Sequence, residues 1–163
     1  MTRVDTAEAV GFRQPVARVP LAAVGAVVTA VNYDAGETVG WPALAAAVER
    51  ARDDLPADAR VAVLTGNYGQ AGAVDRFAPR LAPAYSGHNS YWTWGPPPED
   101  TDVVLAVGLP EEQLARWFGQ VAVVDRVDNG VELDNDEQGT PILRAMDRYV
   151  PWSEIWPQLR HLG

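Results

Sequence analysis

The chain has 163 residues, 47% of them hydrophobic, with 13 basic side chains against 22 acidic ones and a formal net charge of -9. All the positive charge sits on scattered arginines and there is no lysine, so the basic stripe needed for nucleic-acid phosphates or an anionic membrane surface is missing. With no cysteine, disulfide scaffolds, zinc ribbons and thiol catalysis are excluded.

Residues 1–18 read as a weakly patterned tail or linker, and residues 19–163 as a single α/β domain of ordinary size. The opening MTRVDTAEAVGF carries Asp5 and Glu8 and lacks the basic-then-apolar order of a signal peptide. The longest apolar stretch, VPLAAVGAVVTAV at 19–31, contains Pro20 and Gly25. It falls short of the roughly 20 apolar residues of a membrane-spanning helix. It reads as a buried strand, or as a short helix plus a strand, since periodicity does not separate the two. The chain as given is therefore expected to be soluble, with no span of its own.

After the polar loop NYDAGETVG (32–40), Trp41-Pro42 opens a helix over about 43–55, with Leu44, Val48, Ala51 and Leu55 on one face. Arg60–Leu64 is a strand, the turn TGNYGQAG follows, and a second helix runs from about Ala71 to Arg80. Ala84–Ser86 is a short strand, and Gly87–Pro98 an irregular aromatic loop. Strands at Val103–Val107, Val121–Val127 and Ile142–Met146 follow. A short helix at Pro110–Phe118 and a closing one at Pro151–Arg160 separate or end them. Strands that alternate with helices, and that read as continuous apolar runs, point to a sheet covered on both faces. The expected fold is a three-layer, Rossmann-like α/β sandwich with a mostly parallel sheet of about five strands.

Four loops carry candidate chemistry. Thr65–Gly72 follows a strand and opens a helix, the place where α/β sheets bind ligands. Its glycines stand as GxxGxxG without a following Lys, which argues against a nucleotide site and no less for a tight turn with close helix–sheet packing. Ser86–Gly95 sets His88 and Asn89 beside Tyr91, Trp92 and Trp94, a combination suited to stacking on sugars as well as to capping a core. Asp34 and Glu37 form a carboxylate pair with either acid/base or helix-terminal character. Asp134–Gly139 imitates the start of a calcium loop, but Gln138 is a poor ligand and Ala145 stands where the closing Glu belongs. It reads as a solvated acidic turn. A triad of Ser86 or Ser90 with His88 and Asp34 has no supporting spacing, and no G-x-S-x-G elbow occurs. No metal or cofactor is expected.

Several of these strings together resemble one family. NYDAGETVGWP (32–42), LTGNYGQAGAVDRF (64–77), YSGHNSYWTWGPPP (85–98), DNDEQGTPI (134–142) and PWSEIWPQLRH (151–161) look like the soluble C-terminal region of actinobacterial glycosyltransferase family 39 proteins. These are membrane enzymes of the protein-mannosyltransferase and aminoarabinose-transferase type. The resemblance runs from about residue 19 to the C-terminus. It implies a parent enzyme that moves a sugar from a polyprenyl-phosphate donor outside the cytoplasm. The catalytic acids of such enzymes lie in a loop between early membrane helices that this chain does not contain. Gln70 departs from the pattern, since similar sequences usually carry Glu there.

The favoured expectation is a non-catalytic, extracytoplasmic module that recognises a glycan or acceptor for the membrane-embedded portion of such a transferase. Its candidate surface is Asn67, Tyr68, Gln70, His88, Asn89, Trp92 and Trp94, with Asp34 and Glu37 as neighbours. Two alternatives are a stand-alone sugar-processing enzyme using His88 with Asp34 or Glu37, and a purely structural docking domain.

Overall fold

The computed structural model describes residues 40–129 and 137–163. Helix α1, Trp41–Asp53, starts where Gly40 adopts a left-handed φ of 97° and Pro42 occupies the first turn. Proline there sacrifices no helical hydrogen bond. At the other end Arg52 donates to the carbonyls of Pro56 and Ala57, satisfying acceptors that follow the last turn. Strand β1 is Val61–Thr65, α2 is Tyr68–Phe77, β2 is Tyr85–Ser86 and β3 is Val103–Val107. A short α3, Glu111–Leu114, leads to β4, Phe118–Arg126; β5 is Pro141–Arg148 and α4 is Trp152–Leu159. Two 3₁₀ segments, Pro79–Leu81 and Asn89–Trp94, flank β2.

The five strands form one sheet in the order β2-β1-β3-β5-β4. β1 pairs in parallel with both β2 and β3, whereas β5 pairs antiparallel with both β3 and β4. The sheet is therefore mixed, and the expectation of a mostly parallel one is corrected. The reason lies in β5. It enters the sheet between β3 and β4 and runs against both, so every ladder on that side is antiparallel. Nothing in the apolar run of β5 signals this, because a strand buried on both faces has the same composition in either direction.

Both faces of the sheet are covered. Val63, Leu105, Val107 and Ile142 point towards α1 and α2, where Leu44, Val48 and Val74 are buried. Their neighbours Leu64, Val104, Ala106, Leu143 and Ala145 point the other way, onto Leu114 and α4. This is the two-residue alternation of a strand, read simultaneously by two helical layers. α4 meets it with Trp152, Ile155, Trp156 and Leu159, all buried at helical spacing. No helix among the described residues is long and apolar enough to cross a membrane.

Candidate functional site

β1, β2 and β3 end side by side, and a glycine follows each of them directly: Gly66, Gly87 and Gly108. Two of the three are required by close backbone approach. A Cβ on Gly66 would run into the carbonyl oxygen of Gly108, and one on Gly87 into the carbonyl oxygen of Leu159. The result is a cleft of about 320 Å³ floored by main chain and rimmed by Gln113, Gln158, Arg160 and His161. It opens where the order switches, since β1 has β2 on one side and β3 on the other. Ligands of α/β proteins bind at such a switch point, beyond the carboxyl ends of the strands.

The glycine-rich string does not form an extended turn. α2 already begins at Tyr68, so Gly69 and Gly72 are helical, and the ring of Trp41 lies against Gly69. Asn67 is the N-cap: its side chain accepts from the Gln70 N–H at 2.8 Å. Gln70 completes the capping box, with Oε1 accepting from the N–H groups of Gly66 and Asn67. Its Nε2 donates to Glu137 at 2.9 Å. Both side chains are buried. Asn67 Oδ1 and both polar atoms of the Gln70 side chain are thus engaged inside the fold. Glu137 corrects the reading of 134–139 as a wholly solvated turn, because it is the buried partner of Gln70. Its neighbours Asp134, Asn135 and Asp136 lie outside the described residues.

The aromatic loop divides between the two faces of the sheet. Tyr91 packs towards α1 and α2 and donates its hydroxyl to Asp75 at 3.0 Å. Burial, then the hydrogen bond and charge of Asp75, push its phenol up to about 12. Trp94 leans on Tyr91 at 4.2 Å between ring centroids and stays 67% exposed. Trp92 turns the other way. It exchanges hydrogen bonds with Trp156, each indole N–H donating to the other's carbonyl at 3.1 Å, and Arg160 covers its ring. Trp92 and Trp94 therefore do not form one stacking platform.

Tyr68 and His88 do come together, at 5.0 Å edge to face. His88 also stacks on His161 at 4.4 Å. The chain after α4 is tied alongside, since Asn89 N–H donates to the His161 carbonyl and His161 N–H to that of Gly87. The Asn89 side chain receives the N–H of Gly163. Both ring nitrogens of His88 are buried and without a hydrogen-bond partner among the described residues. Burial first, and the neighbouring His161 second, hold its pKa below the ordinary value, so the ring is neutral at pH 7. The Ser86 hydroxyl accepts from the His88 main chain and makes no hydrogen bond to the His88 ring. Asp34 and Glu37 lie outside the described residues.

Of the expected surface, Tyr68, His88 and Asn89 gather beside the cleft, while Trp94 stands apart on the α2 side. Gln113, Arg160 and His161 were not singled out from the sequence. Arg160-His161 looks like the unremarkable end of an amphipathic helix, and only the return of the chain past Gly87 brings it to the strand ends. Among the described residues, no group of His, Asp and Glu is arranged to hold a metal ion. No protein-family model matches the chain, and no curated protein or solved structure matches it either.

Proposed function

We propose that this chain is a non-catalytic recognition module that binds a glycan at the carboxyl ends of β1, β2 and β3. The observation that carries the reading is the neighbourhood of the cleft. A concavity of about 320 Å³, floored by backbone and rimmed by Gln113, Gln158, Arg160 and His161, adjoins the exposed ring of Tyr68 set edge-on to His88. Aromatic faces meet the C–H patches of a sugar, and amides and main chain meet its hydroxyls. The parallel trio β2-β1-β3 supports a Rossmann-like reading of this half of the sheet.

The family resemblance supplies the setting. In this reading the module belongs to a polyprenyl-phosphate-sugar-dependent glycosyltransferase and lies on the outer side of the plasma membrane. It presents acceptor or glycan to the membrane-embedded portion. A stand-alone enzyme built on His88 draws little support from a ring whose nitrogens are covered.

Amide spectra recorded during titration with neutral mannose- and arabinose-containing oligosaccharides test the reading. Shifts are expected at Tyr68, Gln113 and His161, and Tyr68→Ala should weaken binding roughly tenfold, a loss of about 1.4 kcal/mol, with an unchanged melting temperature. Spectra that do not move with any glycan would sink it.

A further inference from the structure

We infer that the cleft recognises an acidic sugar, with Arg160 as the anchor for its charged group; this rests on the glycan reading above. Among the described residues, no acidic side chain lines this cleft. Arg160 is the one Arg, Asp or Glu among the described residues that line it. The guanidinium is held 4.5 Å above the ring of Trp92. It makes no ion pair or hydrogen bond to the described residues, unlike Arg50, Arg60, Arg80 and Arg148, which all face carboxylates. Stacking on an aromatic face orients the planar fork while leaving its N–H edge free, the arrangement suited to gripping a carboxylate or phosphate with two parallel hydrogen bonds.

The neighbouring groups suit hydroxyls. His161 Nδ1 lies 2.9 Å from the Leu159 carbonyl, which only accepts, so that nitrogen carries the proton. In the neutral ring Nε2 is then the acceptor. The Gln113 amide, on the opposite rim, has both a donor and an acceptor to offer. A ligand with one negative group and several hydroxyls matches this set; a uronate and a hexose phosphate share that chemistry.

Calorimetric titration of the intact chain with glucuronate, glucose phosphate, glucose, acetate and inorganic phosphate tests the inference. The charged sugars are expected to bind at least roughly tenfold more tightly than glucose. Arg160→Gln should erase that margin, while Arg160→Lys retains part of it. The stronger of the two charged sugars identifies the anionic group. Equal affinity for charged and neutral sugars overturns the inference, as does a margin that survives Arg160→Gln in a variant with native melting behaviour. Binding of acetate or phosphate alone, lost in Arg160→Gln, overturns the sugar and keeps an anion site. Silence towards every probe overturns the inference, and the oligosaccharide titration then decides the glycan reading by itself.

Discussion

At the amino ends of β1 and β3 a larger cleft, about 500 Å³, is lined by Arg60, Arg148 and four acidic residues, among them Glu99 and Asp102. Arg60 bonds Asp102 at 2.6 Å and Asp100 at 3.3 Å, and Arg148 bonds Glu99 at 2.7 Å. At the carboxyl ends of the same strands the cleft is smaller, and its single arginine faces no carboxylate among the described residues. Volume alone therefore does not rank the two clefts as binding sites. Both arginines of the larger cleft already have partners, and a ligand would have to displace them. In the smaller one the polar rim is still available, and rigid backbone sets its shape.

That contrast can be broken most sharply at Gln70, which anchors the carboxyl end from inside. Gln70→Ala removes three hydrogen bonds and leaves a void, and is expected to cost about 3 kcal/mol in urea denaturation. Gly87→Ala drives a methyl group into the Leu159 carbonyl and should cost about 1–3 kcal/mol by the same measurement. At the amino end Arg148 bonds the Val150 carbonyl and Glu99 and stacks on Trp152, with Glu99 itself largely exposed. Arg148→Met should therefore cost only about 1 kcal/mol.

Acid should also separate the ends. The depressed pKa of His88 means that the unfolded chain takes up its proton first. Its contribution to stability is complete above about 6.5, the ordinary histidine value, and is lost as pH falls from there through the lower folded-state value. The groups that face the ring are Tyr68, His161 and Gly163. The melting temperature should fall between pH 7 and 5, and His88→Phe should flatten that fall. An equally steep fall in the variant would assign the acid sensitivity elsewhere. The smallest effect is expected for Arg60→Gln, whose exposed ion pairs are screened by solvent; its melting temperature should match the parent's.

Much of the fold was legible because it is written in local pattern. The apolar run 103–107 is β3 itself, and the spacing of Trp152 and Trp156 marks the buried face of α4. The direction of β5 was not legible, since it depends on which strands lie beside it. The meeting of Tyr68 and His88 was legible in the sequence, because loops after parallel strands converge. The role of Gln70 was hidden because a capping box and a ligand-binding turn use the same residue types at the same spacing. The division of Trp92 from Trp94 depends on α4, more than sixty residues away, and no local pattern encodes that.

The main-chain crowding at Gly66 and Gly87 also bears on how specificity here can change. A side chain added at either position meets backbone, so the floor of the cleft has no room to be reshaped by substitution. Any retuning towards a different ligand has to come from the rim, at Gln113, Arg160 and His161. Directed evolution of this surface would therefore gain by randomising those three positions and leaving the glycines alone.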